Sequence, residues 1–182
     1  MGKTVIIAIV GKSGSGKTTL AKHLEIELRI PTIVSYTTRK MRDDEENGVD
    51  HIFVSEFPYS KDDGEILAWT NFGGHDYWTT HSQVSRNDVC TYVIDEKGLV
   101  EMKNKYGEIY DIISVYVDCP KEKRSQWTSA DRMNRDLGRI SIDAKDYNCI
   151  INNNSDLLSL FRLAEERIIP LVRKIRPAFC EM

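Results

Sequence analysis

Val5-Ile6-Ile7-Ala8-Ile9-Val10-Gly11-Lys12-Ser13-Gly14-Ser15-Gly16-Lys17-Thr18 is an apolar run that ends in a glycine-rich octet. Six apolar residues in a row, bounded by glycine, read as a strand buried on both faces. The octet matches G-x-x-x-x-G-K-[ST], and Leu20, Leu24 and Leu28 then recur at helical spacing. Strand, loop and helix in that order are the context in which this motif binds phosphate. Gly11, Gly14 and Gly16 let the chain curl, so that backbone N–H groups along the loop, Ser13 and Ser15 included, converge on a polyphosphate. The positive end of the helix at Lys17, Thr18 and Thr19 adds to the attraction. Lys17 is expected to reach the β- and γ-phosphates of a nucleoside triphosphate, and the Thr18 hydroxyl to ligate Mg²⁺.

The rest of the chain bounds what such a site can serve. At 182 residues it reads as one domain with a real core, and 41% hydrophobic with 29% charged residues is a globular composition. A net charge of −3 gives no basic footprint for nucleic acid. No apolar stretch is long enough to span a bilayer, and the loop comes too early for a cleaved leader. Cys90, Cys119, Cys149 and Cys180 are scattered, without a C-x-x-C pair, so reduced thiols in a cytoplasmic protein are expected.

Pro31 should stop the first helix, and His23 reads as a solvated helix residue. Strands are expected at 89–95, 112–117 and 149–151, with a short helix at 99–105. Leu157, Phe161, Ala164, Ile168, Leu171 and Ile175 mark a long amphipathic helix, with Asn154 or Ser155 as its cap. Strands alternating with helices imply a parallel sheet covered on both faces. Residues 35–82 break that rhythm. They carry a charge cluster at 39–46, a turn at Asn47-Gly48 and short alternating runs, and read as an inserted mixed sheet. Residues 120–139 are poor in apolar residues and rich in arginine. The expected organisation is a core of 1–34, 83–119 and 140–182, an insertion at 35–82 and a lid at 120–139.

A regulatory GTPase would also carry D-x-x-G, which Asp95-Glu96-Lys97-Gly98 supplies. It would need N-K-x-D as well, and Asn152-Asn153-Asn154-Ser155 lacks both Lys and Asp. A motor ATPase needs more chain, whereas a small kinase fits the length. Ser35-Tyr36-Thr37-Thr38-Arg39-Lys40-Met41-Arg42, then Asn47-Gly48-Val49-Asp50-His51-Ile52-Phe53-Val54, resembles the S-x-T-T-R-x-x-R…G-x-D-Y-x-F-V segment of the guanylate kinase family. The stretch 71–79 resembles that family's F-x-G-N-x-Y-G-T, and 146–152 matches more loosely. The resemblance implies a P-loop NTPase fold with an acceptor-binding insertion and a short lid. It implies γ-phosphoryl transfer from ATP, with Mg²⁺, to GMP or dGMP, by a monomer or homodimer.

The residue types suit that chemistry. Two anions must be brought together, and fixed cations offset their repulsion. Arg39 and Arg42 are planar forks able to hold the acceptor phosphate, and Arg132 and Arg135, one turn apart, are expected to close over the ATP phosphates; Arg124 and Arg139 are alternatives. The resemblance adds Tyr77 at the acceptor phosphate, and Ser35, Thr79 and Asp95 at the base. Tyr36, Phe53, Phe57 and Phe72 read as packing within the insertion, and Asp43 to Glu46 as a solvated turn.

Four positions depart from the family's pattern. Ala68 stands where a base-reading Glu is expected, with Glu65 or Asp76 as substitutes on a shifted register. His51 stands where a phosphate-contacting Tyr is expected, and can still donate to a phosphate. Trp78 replaces a Gly and is expected to reshape the acceptor pocket. Val93 replaces the first carboxylate of D-x-D, leaving Asp95. These departures keep two other readings in view: a different acceptor (another deoxynucleotide or a phosphorylated ribose), or a catalytically silent interaction module.

Overall fold

Six residues with no exposed surface, Val5 to Val10, put the first strand at the centre of the molecule. The computed structural model describes residues 2–58, 60 and 64–179. In chain order its elements are β1 (Val5–Val10), α1 (Lys17–Leu28), β2 (Thr32–Ile33), β3 (Tyr36–Thr37), β4 (Ile52–Phe53), β5 (Ile66–Phe72), β6 (His75–Thr80), α2 (His81–Val84), β7 (Val89–Val93), α3 (Glu96–Tyr106), β8 (Asp111–Asp118), α4 (Lys121–Arg124), α5 (Ala130–Arg135), β9 (Cys149–Asn152) and α6 (Leu157–Ile175).

The central sheet runs β2-β7-β1-β8-β9, and all its pairings are parallel. Strand alternation divides β1 between two cores. Val5, Ile7 and Ile9 face α1 and α6, against Leu20, Leu24, Ala164 and Ile168. Ile6, Ala8 and Val10 face the other way, toward Leu99 and Met102 of α3 and Val84. Each buried aliphatic side chain contributes about 1.5–3 kcal/mol. The expected α/β layering is therefore present, with both faces of the sheet covered.

The smaller sheet, ordered β4-β3-β6-β5, pairs β3 with β4 in parallel and β3–β6 and β6–β5 antiparallel. α3 carries it, the Tyr106 hydroxyl donating to the Ile66 carbonyl at 2.8 Å; just beyond each, His81 of α2 meets the hydroxyl of Tyr110 in the loop after α3 at 2.8 Å.

Two local expectations are corrected. The long helix starts later than expected because Asp156, not Asn154 or Ser155, accepts from the Ser159 N–H at 2.8 Å. His23 is not a solvated residue. It stacks on Phe161 at 3.9 Å between ring centroids and meets Glu165 Oε1 at 2.6 Å, joining α1 to α6. Asp95-Glu96-Lys97-Gly98 is the start of α3: the Asp95 carboxylate caps the helix by accepting from the Gly98 N–H at 2.7 Å. Cys90, Cys119 and Cys149 are free thiols, and Cys180 lies outside the described residues. No helix among the described residues is long and apolar enough to cross a membrane.

Candidate active site

The loop after β1 is shaped for an anion. Gly16 has φ of +98°, and a Cβ there would lie 2.8 Å from Asn153 Nδ2, which itself donates to the Ser15 carbonyl at 2.9 Å. At Gly11 a Cβ would lie 2.5 Å from the Val117 carbonyl oxygen. Only glycine fits either position, so backbone rather than side chains lines the cradle. α1 begins with no side-chain cap and no acidic residue in its first turn, which leaves its positive end for a ligand. Ser15 Oγ is buried without a hydrogen-bond partner among the described residues. Lys17 Nζ donates to the Lys12 carbonyl at 2.9 Å, within the loop itself. Burial, reinforced by the charge of Arg139, lowers its pKa to about 7. Thr18 and Thr19 are exposed and border a groove with Lys22, His23 and Phe161, separate from the cavity that holds Lys17.

An aspartate already sits against this loop. Asp136, buried at the end of the lid, accepts from the Ser13 N–H at 2.7 Å and from the Ser13 hydroxyl at 3.0 Å. Arg124 lies 3.7 Å and Arg139 3.4 Å from its carboxylate. Arg139 also donates through Nε to Glu96 Oε2 at 2.6 Å and through Nη1 to the Gly11 carbonyl at 3.1 Å. The Arg124 guanidinium bonds the carbonyls of Cys119 and Ser13.

In the insertion, Arg39 is buried, and Glu45 meets it with both oxygens at 2.7 and 2.8 Å. Arg39 Nε donates to the Tyr77 hydroxyl at 3.1 Å, and Nη1 also donates to the Lys40 carbonyl at 2.7 Å. Arg42 donates to the same carboxylate through Nη1 at 2.8 Å and through its backbone N–H at 2.9 Å. The expectation of a solvated acidic turn is thus wrong for Glu45. These hydrogen bonds, set against its burial, hold its pKa down to about 2. His51 packs edge-on to Tyr77 and Phe53, and its Nδ1 lies 2.9 Å from Ser35 Oγ. Burial and the nearby Arg39 lower the pKa of His51, so it favours the neutral ring.

At the base end, Thr79 is fully buried and donates to Gln83 Oε1 at 2.9 Å. Ala68 is its cross-strand partner, beside a bulge between Ile66 and Ala68. The register leaves Asp76 bonded to Asn71 at the outer end of the hairpin, and neither Asp76 nor Glu65 lines the cavity. The expectation that Trp78 reshapes the acceptor pocket is not met. By strand alternation its ring lies on the opposite face from Tyr77 and Thr79, stacked on Tyr36 at 5.3 Å and edge-on to Phe57 at 4.9 Å. Phe72, expected only to pack, lines the cavity beneath the Arg135 guanidinium, 5.6 Å from its ring centre.

One cavity of about 190 Å³ collects these groups. Ser13 and Lys17 of the loop, Ser35, Arg39, Arg42, His51 and Tyr77 of the insertion, Asp95, and Arg132, Arg135 and Arg139 all line it. Thr79 and Thr18 do not. The sequence reading missed Asp136, Glu96 and the part played by Glu45. For Glu45 a signal existed, since a carboxylate three residues after Arg42 lies within reach of a paired fork.

The guanylate kinase family model matches residues 1–157. A guanylate kinase of Thermotoga maritima is 30% identical over 192 aligned positions, taking in 96% of this chain and 88% of that protein. One of Fusobacterium nucleatum is 29% identical over 174, covering 85% of this chain and 94% of the relative. Among solved structures, guanylate kinase from Anaplasma phagocytophilum superposes with a TM-score of 0.65 at 22% identity, covering 96% of this chain and 87% of its own. A sugar kinase from a Janibacter species shares the fold more distantly, with a TM-score of 0.55 at 13% identity. With the loop, the double-arginine segment and the insertion all in place, the chain belongs to the guanylate kinase family.

Proposed function

We propose that the protein transfers the γ-phosphoryl group of ATP to GMP or dGMP, working on free nucleotides in the cytoplasm as a monomer or homodimer, with neither nucleic acid nor membrane as partner. The observation that carries this reading is the single cavity in which Lys17 of the loop faces Arg39 and Arg42 of the insertion and Arg132 and Arg135 of the lid. With Arg139, six cations line this one small space, which suits two phosphate groups brought into line. The glycine cradle and Lys17 would take the donor phosphates. Arg42, the remaining Arg39 donor, the Tyr77 hydroxyl and His51 would take the acceptor phosphate, with Ser35 and Asp95 toward the base; Thr79, fully buried and bonded to Gln83, lies outside the cavity. Residues 35–82 and 120–139 are then the parts that close on the core at 1–34, 83–119 and 140–182, excluding water.

Mg²⁺ arriving with ATP would neutralise phosphate charge. Among the described residues no group of three His, Cys, Asp or Glu could hold a metal. The Thr18 hydroxyl is a hard oxygen donor, and Mg²⁺ accepts few protein ligands when phosphates and waters supply the rest. The test is an ADP-release assay with MgATP across the common nucleoside and deoxynucleoside monophosphates. Turnover with GMP and dGMP supports the proposal, and no turnover on any acceptor refutes it.

A further inference from the structure

At the base end of the cavity Ala68 offers no polar group, and its cross-strand neighbour Thr79 does not reach the lining. Tyr92 of β7 lines the cavity instead. Its side chain is 4% exposed and shares a core cluster with Leu67, Ala68 and Ile94. A phenol on a central strand among aliphatic side chains needs a partner for its hydroxyl. The Thr79 side chain is that partner, hydrogen-bonded to Tyr92. Burial, with the Asp95 carboxylate nearby, pushes the pKa of the phenol up, so Tyr92 keeps its proton.

The donors around this pair fix where that proton goes. The Thr80 backbone N–H, which can only donate, meets Gln83 Oε1 at 3.0 Å, and Gln83 Nε2 donates to the Val34 carbonyl at 2.8 Å. The amide is therefore held with its oxygen toward β6. Thr79 has one hydroxyl proton and donates it to that oxygen at 2.9 Å. Toward Tyr92 it can only accept, so the phenol proton points at Thr79. Lone pairs are what the Tyr92 oxygen has left for the cavity, and it is an acceptor there, as a carboxylate at position 68 would be. Asp95 lines the same end; its Oδ1 accepts from the Gly98 N–H, and Oδ2 is a second acceptor. Two acceptors suit the adjacent N1–H and N2–H donors of guanine and oppose the unprotonated N1 of adenine.

We propose that Tyr92 determines the choice of acceptor base: its hydroxyl, held as an acceptor by Thr79 and Gln83, takes a hydrogen bond from the N–H edge of guanine in place of the carboxylate absent at position 68. This rests on the kinase reading above. Thr79 and Gln83 are positioning residues, which act through the direction of one proton without touching the base.

The experiment measures kcat/KM for GMP and for AMP at saturating MgATP in wild type, Tyr92→Phe and Thr79→Val. Tyr92→Phe keeps the ring and removes the acceptor. The preference for GMP over AMP is expected to fall about tenfold or more, through KM for GMP, with KM for MgATP within about threefold. Thr79→Val keeps the phenol but lets its proton turn into the cavity, against an edge that also presents protons. The same preference should fall at least as far, although Tyr92 itself is unchanged. A packing role would instead lower both acceptors alike and leave their ratio as it was. An unchanged ratio in either variant, or a wild type that prefers AMP, overturns the proposal. Should Tyr92→Phe fail to fold, the ratio in Thr79→Val decides it on the same terms. Absence of turnover in the wild type with every acceptor would instead sink the kinase reading itself.

Discussion

Lys17 is a cation held in a place that opposes its charge. With its pKa lowered to about 7, the folded chain binds fewer protons than the unfolded chain between about pH 7 and 10.5. Stability therefore rises with pH across that window, and the penalty is fully present below it. Lys17→Met is expected to raise Tm at pH 7 by several degrees while abolishing MgATP binding, a gain that fades as pH approaches 10.5; scanning calorimetry and titration calorimetry check the two halves. In the wild type, ATP must bring Lys17 back to the protonated form. Binding above pH 7 should take up a proton, which calorimetry in two buffers of different ionisation heat reads directly. Arg39 and Arg42 separate in the same way. Arg39→Ala leaves the half-buried Glu45 with Arg42 as its remaining partner and should cost about 1.5–3 kcal/mol in urea unfolding. Arg42→Ala, at a half-exposed position, should raise the KM for the acceptor with little loss of stability. The sequence pointed to both arginines by type and spacing. It could not tell that Arg39 is buried and held by both oxygens of Glu45 while Arg42 is half-exposed and held by one, because that depends on which carboxylate folds back on them.

At the level of elements, the central strands, α1 and α6 were legible because period and turn chemistry agree with burial along their length. The inserted hairpin was legible as a hairpin only. Which face Trp78 takes follows from pairing register, and its ring serves packing against Tyr36 and Phe57. Ala68 on β5 keeps its consequence: the cross-strand neighbour of Thr79 offers no carboxylate to a base. Ala68→Glu is expected to increase the preference for GMP over the other monophosphates about tenfold or more, seen as a ratio of kcat/KM values. The end of the lid was not legible. Asp136 lies more than a hundred residues from Ser13, and a single acid in a charged stretch carries no signal of its own. Its carboxylate holds two donors of the loop, so it competes with an incoming phosphate. Asp136→Asn is expected to tighten MgATP binding several-fold, measured by titration calorimetry; weaker binding would show that the carboxylate supports the loop instead.

Across the whole molecule, carboxylates of the chain itself lie at both proposed phosphate subsites: Asp136 against the loop and Glu45 between Arg39 and Arg42. These carboxylates balance cations that would otherwise face one another across the cavity. Substrates must then replace or share those partners, and the site is read as two halves of one anion-binding space. The claim that donor and acceptor phosphates meet in that space is tested most directly with a bisubstrate compound, adenosine and guanosine joined through a chain of five phosphates. Its Kd should lie about 100-fold or more below that of ATP or GMP alone, because the second half binds intramolecularly. A Kd no better than that of ATP would mean that the two sites do not share one cavity.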